Sequence, residues 1–322
     1  MNFDLLIENL KNPALLFFLL GVLAVRVKSD LYIPENSSKF ISIYLLFAIG
    51  FKGGQELAHS TFDVSILWCV LFGVLAAISI PIYTFFILKR KLSVANSGAI
   101  AAAYGSVSAV TFVTAISFLE MQNISYSGHM VAVMALMEAP AIIVGIILIR
   151  LFTKSKKEVH SYSLKQIIVH SLTNGSVFLI VGSLVIGYVA SEEQAMGIKP
   201  FTNDLFKGFL ALFLLDMGLV CGKKLSDFTK YGNFTILFAS IIPLINGCVV
   251  AYTSGLFLTQ TGDRFLLAIL AASASYIAVP AAMKIAVPQA NPGLYVPMAI
   301  GVTFPINLTL GIPFYYYILN IY

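Results

Sequence analysis

Ser97–Thr111 reads SGAIAAAYGSVSAVT, and Ala268–Met283 reads AILAASASYIAVPAAM. Both runs are apolar enough for a bilayer, yet Ser, Ala and Gly stand where a membrane helix ordinarily carries Leu and Phe. Such a segment packs other backbones closely, or opens its own backbone to a ligand. The remaining chain reads as a frame around these two runs.

Composition sets the class. Of 322 residues, 59% are hydrophobic and 11% charged, against about 25% charged in a soluble domain. Mean hydropathy is +0.90. An all-α integral membrane protein is expected. The net charge of +5 is strung along short loops, which is a topology signal and not a nucleic-acid surface. Cys69, Cys221 and Cys248 lie in apolar segments and form neither a disulfide framework nor a metal pattern. No cleavable signal peptide is expected, because the first apolar stretch follows Asp4 and Glu8 without a basic start.

Apolar stretches predict ten crossings, near 12–26, 40–56, 64–88, 95–118, 126–152, 174–190, 206–222, 233–258, 264–284 and 293–319. The first, second, sixth and seventh fall short of the roughly 20 residues that a full span needs. With alternate loops on alternate sides, fifteen of the 20 Lys and Arg residues share one side, including Lys89, Arg90, Lys91 and Lys154. Lys11, Lys52, Lys199, Lys207 and Arg264 fall on the other. The basic side is the cytoplasm, so both termini are expected outside and the 153–171 linker inside.

The chain also repeats itself. Asn12–Val27 resembles Asn174–Val189, and Ile49–Leu57 resembles Met217–Leu225, with Gly50 on Gly218 and Gly54 on Gly222. Ala99–Thr111 aligns with Ala268–Pro280, which places Ser106 on Ser275. Glu138-Ala-Pro140 falls on Thr303-Phe-Pro305. Five crossings is an odd number, so the second copy is inverted. The units are 1–152, the linker 153–171 and 172–322. Inverted repeats are a transporter architecture, with the solute site where broken helices of the two copies meet at the midplane.

Chemistry then points to particular residues. A small anion that sheds water needs replacement dipoles, which hydroxyls and the N–H groups of broken helices supply. Gly105, Ser106, Ser108 and Thr111 are the candidates in the first copy, and Ser273, Ser275 and Tyr276 in the second. Pro280 is expected to free a carbonyl. Close packing of small residues is the alternative account of both runs. An acid within a span costs roughly 2.5–3.5 kcal/mol on insertion scales, so it reads first as functional. Glu138 is the sharpest: it precedes Pro140, where a helix break is expected and a freed carbonyl and the carboxylate would jointly hold Na⁺ or H⁺. Thr303 is its repeat-mate before Pro305, Asn307 lies two residues beyond that proline, and Asp216 is the second acid; with Glu138 they are the candidate sodium site. Lys52 and Glu56 are expected to be solvated. His129 beside Ser127 makes no catalytic arrangement.

The pieces Gly50-Phe-Lys-Gly-Gly54, Gly105-Ser-Val-Ser108, Met137-Glu-Ala-Pro140, Ala272-Ser-Ala-Ser275 and Val287-Pro-Gln-Ala-Asn-Pro292 occur in this order. Together they resemble the sodium-dependent bicarbonate transporter family described from cyanobacteria. That resemblance implies Na⁺-coupled uptake of bicarbonate by elevator-type movement of a core against a scaffold, with Na⁺ as coupling ion and no other cofactor. It implies a homotrimer, and a PII-like regulator on the cytoplasmic face of some relatives. It carries the substrate site onto Gly105, Ser106, Ser108, Thr111, Ser273, Ser275 and Tyr276, with Glu138 where the family has an acid. Tyr276 stands where those relatives have Asp, and Asp216 is a candidate to restore the missing charge. The runner-up function is a Na⁺-independent or proton-coupled carrier of a small organic anion. An enzyme is not expected, since no HExxH, GxSxG or paired-Asp motif is present.

Overall fold

A computed structural model describes residues 11–60, 63–153, 166, 169, 173–228 and 232–320. The 153–171 linker therefore lies almost wholly outside the described residues. Among those described, the chain is helical and contains no strand. Six stretches are long and apolar enough to cross a membrane: Val64–Leu88, Val94–Met121, His129–Phe152, Glu192–Lys224, Asn233–Leu256 and Pro292–Leu319. Pro13–Arg26 and Gly175–Val189 are shorter apolar helices.

In chain order the helices are α1 (Pro13–Arg26), α2 (Glu35–His59), α3 (Val64–Leu88), α4 (Val94–Gly105), α5 (Ala109–Met121) and α6 (His129–Phe152). Then come α7 (Gly175–Val189), α8 (Glu192–Lys199), α9 (Phe206–Phe228), α10 (Asn233–Thr253), α11 (Thr261–Ala272), α12 (Ala278–Ala286) and α13 (Pro292–Leu319). Local chemistry starts several of them. Asn12 Oδ1 accepts from Ala14 N and Asn174 Oδ1 from Ser176 N, both at 3.0 Å, so equivalent asparagines cap α1 and α7. Gly232, with φ +85°, supplies the left-handed turn ahead of α10.

Three expectations from the sequence change. The second and seventh crossings looked short, yet α2 runs for 25 residues and α9 for 23, because each helix continues past its apolar window, through Glu35–Lys39 and on to His59 in α2 and on to Phe228 in α9. Pro140 does not break α6, which is continuous through it; one ladder bond is lost and no end is made. The strain at Pro305 is absorbed differently, by widened π-type turns at Met298–Thr303 and Asn307–Gly311 on either side.

Packing is tightest in two helix pairs, α1 with α9 and α2 with α7. A Cβ on Gly21 would come within 2.3 Å of Leu215 O, and one on Gly218 within 2.1 Å of Phe18 O. In the second pair, a Cβ on Gly54 would come within 2.1 Å of Leu184 O, and one on Gly187 within 2.2 Å of Phe51 O. Backbone meets backbone at these points, which is how membrane helices associate without a hydrophobic driving force. Around these pairs, α3 packs on α4 and α6, and α10 on α11. The broken stretch Val94–Met121 is 94% buried, whereas α3 is 28% buried and turns Leu67, Trp68, Leu71 and Leu75 outward. The small-residue runs therefore sit inside the molecule.

Adding one methyl to a seam glycine should force the helix pair apart. Gly54→Ala and Gly218→Ala are each expected to cost about 1–3 kcal/mol, read as a lower unfolding temperature in detergent. Gly182→Ala, which meets no atom within 4 Å, should leave it unchanged.

Candidate functional site

Both small-residue runs break, and the breaks touch. α4 ends at Gly105 and α5 begins at Ala109; α11 ends at Ala272 and α12 begins at Ala278. Ser275 N donates to Ala103 O at 2.8 Å, which joins one break to the end of the other helix. Ser108 N donates to Ser273 Oγ at 2.9 Å, and that hydroxyl donates in turn to Leu270 O at 2.9 Å. Each break then caps its own following helix. Ser108 Oγ accepts from Thr111 N at 3.2 Å, and Ser275 Oγ from Val279 N at 3.4 Å.

Pro280 lies in the first turn of α12. Its missing N–H is one that has no intrahelical partner there in any case. It frees no carbonyl, contrary to the expectation from the sequence; it shapes the start of a helix.

Two helix N-termini thus converge, and a cavity of about 30 Å³ lies at the junction. Ser108, Ala109, Val110, Val113, Glu138, Ser275, Tyr276 and Ile277 line it from one side. Ser42, Leu45, Leu46, Ser176 and Phe213 line it from the α2, α7 and α9 side. On this measure a water needs roughly 10–15 Å³, so the space suits a solute of very few heavy atoms. Ala109 and Val110 belong to the first turn of α5, whose N–H groups have no intrahelical acceptor, and such an end favours negative charge.

Three side-chain facts complete the geometry. Ser106 Oγ is buried and has no hydrogen-bond partner among the described residues. A buried hydroxyl left so costs about 1–3 kcal/mol, which a bound solute or water would offset. Glu138 is half-buried, lines the cavity and makes no hydrogen bond or ion pair with a described residue. Tyr276 lines both the small cavity and a second one of about 870 Å³, which reaches Ser38, Lys39 and Phe178.

The candidates therefore divide. Ser108, Ser275, Tyr276 and Glu138 share the small cavity, while Gly105, Ser106, Thr111 and Ser273 build the crossing behind it. Gly105 is pressed on Pro81, whose Cγ would lie 2.2 Å from an added Cβ. Thr303 and Asn307 do not line it. Thr303 Oγ1 donates to Ala239 O at 2.7 Å and takes the Tyr104 hydroxyl at 2.8 Å. Asn307 Nδ2 donates to Ala272 O at 2.7 Å, satisfying the last carbonyl of α11. Asp216 is bonded to Ser38 Oγ and also lies outside the small cavity, although the adjacent Met217 places its sulfur 3.8 Å from the Tyr276 hydroxyl. Among the described residues no cluster of three His, Cys, Asp or Glu could hold a metal ion.

Sequence reasoning missed Ser42, Ser176 and Phe213, which face the break from other helices. It also misjudged Lys52. This residue is half-buried and paired with Glu120, and is not simply solvated. His129 and Ser127 both meet Asp263: Ser127 N donates to Oδ1 at 2.7 Å, and Ser127 Oγ to Oδ2 at 2.7 Å. The group ties the loop before α6 to the start of α11.

Apolar helices of membrane length around a buried polar junction define a multi-pass membrane protein. The chain belongs to the Na⁺-dependent bicarbonate transporter superfamily, whose family model matches residues 13–320. That is nearly the whole chain, and it places the protein among secondary transporters. No curated protein matches the chain.

Ser273 and Ser106 should respond differently to truncation. Ser273→Ala strands the Ser108 N–H and is expected to lower stability by about 1–3 kcal/mol, seen in thermal unfolding. Ser106→Ala removes a hydroxyl that has no hydrogen-bond partner among the described residues, so the unfolding temperature should hold or rise.

Proposed function

We propose that this protein is a Na⁺-coupled symporter of bicarbonate or a closely similar small inorganic anion, working by an elevator-type movement. The observation that carries the reading is the shared cavity: two helix N-termini, suited to an anion, open onto the space that Glu138 lines without a partner among the described residues. The anion sits at the crossing of the breaks, held by Ser108, Ser275, Tyr276 and the first-turn N–H groups. Ser106 lies within the first break. The cation sits at Glu138. Asp216 acts from behind Tyr276, and Thr303 and Asn307 steady the helices that frame the site.

A five-plus-five inverted repeat is the architecture this reading uses. The equivalent contacts support it: Gly21 packs on Gly218 while Ser183, its mate in the second copy, packs on Gly50. The α4 and α11 segments that precede the two breaks are each 12 residues long. In this reading α1, α2, α7 and α9 form the scaffold, and the two broken segments move with α3, α6, α10 and α13. Both termini lie outside, the 153–171 linker lies in the cytoplasm, and the assembly is a homotrimer open to a PII-like regulator.

The size of the cavity favours an inorganic anion over the organic one of the runner-up reading. Proton coupling stays as a specific second reading, because an unpartnered Glu138 also suits a proton.

Thermal stabilisation of the purified protein separates these. A ligand that binds only the folded state stabilises by about 2.7 kcal/mol at 100 times its Kd. Na⁺ and bicarbonate together should raise the unfolding temperature more than the sum of either alone, and Glu138→Gln should abolish the Na⁺ part. A shift that follows pH and ignores Na⁺ would establish the proton-coupled reading. Stabilisation by organic anions alone would overturn the proposal.

A further inference from the structure

The large cavity reaches one end of α2, where Ser38 and Lys39 line it, and a set of charges occupies the other end. Lys52 lies 13 residues beyond Lys39 on the same continuous helix, about 20 Å along its axis. On α5, Val110 lines the small cavity and Glu120 lies ten residues further on, about 15 Å away. Both helices thus run from the candidate site toward the end of α2 beyond Phe47, where the lining of the large cavity on that helix stops. There they meet. Lys52 Nζ donates to Glu120 Oε1, and Lys207 Nζ lies 3.8 Å from Glu120 Oε2. The Lys52 and Glu120 side chains are 28% and 25% exposed, so this pair is partly buried near the protein surface. Under it is a cavity of about 200 Å³, lined in part by Ala48, Ile49 and Ile116.

The connectivity is what matters. Glu120 ends α5, the helix whose other end is a break. Lys52 is on α2 and Lys207 on α9, the helices locked by glycine seams to α7 and α1. One carboxylate therefore fastens the broken segment to the close-packed pairs, toward the end of α2 that the large cavity does not line.

We propose that Glu120 is a positioning residue for transport: with Lys52 and Lys207 it forms an ion-pair gate that shuts the site toward the end of α2 that carries Lys52. The site opens there only after the gate parts. The pair suits this work because it is weak. An ion pair near a protein surface contributes little net stability, so it biases a two-state equilibrium without locking it. The inference rests on the transport reading above in supposing that the broken segments move.

The test is cysteine accessibility in lipid nanodiscs, where both faces meet the reagent. Ala48→Cys, beneath the pair, is labelled with a charged maleimide against the parent chain as background; Cys69 and Cys221 are buried there. Glu120→Gln should speed labelling about fivefold with the unfolding temperature little changed. The charge exchange Lys52→Glu with Glu120→Lys should return the rate toward that of Ala48→Cys alone. Should Glu120→Gln fail to purify, Lys52→Gln gives the same reading. An unchanged labelling rate in the variant that purifies would overturn the gate. Na⁺-dependent bicarbonate uptake, measured on the same preparations, reads the transport proposal separately. Faster labelling in a protein that moves no bicarbonate would sink the substrate and keep the gate.

Discussion

The fold depends on how two interrupted helices satisfy their backbones where no water is at hand. An unpaired N–H or C=O in a bilayer interior costs several kcal/mol, so broken backbone survives at that depth only when buried in protein or facing a wet cavity. Here each break answers the other. Ser275 N closes on Ala103 O, and Ser273 Oγ takes Ser108 N. Asn307 reaches in to hold Ala272 O. The carbonyl ends of α4 and α11 are thereby bonded, while the N–H ends of α5 and α12 are only partly so. That imbalance leaves a positive-leaning pocket in an apolar protein.

The glycine seams give the pocket its fixed wall. α1 with α9 and α2 with α7 approach until backbone touches backbone, which leaves little freedom for one helix of a pair to slide on the other. Contacts across the small cavity are of another kind. Ser42, Leu46, Ser176 and Phe213 meet the breaks through side chains around empty space. A molecule tightly packed within its parts and loosely packed between them is mechanically prepared to move at the looser boundary.

Much of this was legible in the sequence, for a reason of composition. Leu and Phe are cheap in a membrane, so a run of Ser, Ala and Gly such as Ser97–Thr111 signals close backbone approach. The match of Ser106 with Ser275 placed the two runs opposite one another. The family resemblance, read from the same motifs, is confirmed by the family model across residues 13–320. What stayed hidden depends on facing. Ser42 and Ser176 sit in helices whose other residues look alike on every side, so nothing marked the inward face. Lys52 and Glu120 are 68 positions apart, and no periodicity links them. Thr303 and Asn307 show the converse. Polar groups in a span read equally as ligands or as internal fastenings, and the structure uses them to satisfy the Ala239 and Ala272 carbonyls.

If the site works as proposed, the placement of Glu138 in the cavity gives coupling an electrostatic origin. Two like charges about 4 Å apart repel by roughly 4 kcal/mol at an effective dielectric near 20, a factor of about a thousand in affinity. An ionised Glu138 would therefore keep an anion out of a space this small, whatever the helix ends offer. A cation or a proton on the carboxylate removes the repulsion, and an anion already in place draws the cation by the same free energy. Neither charge is well accommodated alone, because each loses its hydration and gains too little in return. On this account, obligatory co-binding needs no separate device. It follows from placing one unpartnered carboxylate beside two helix N-termini in a cavity too small to hold much water.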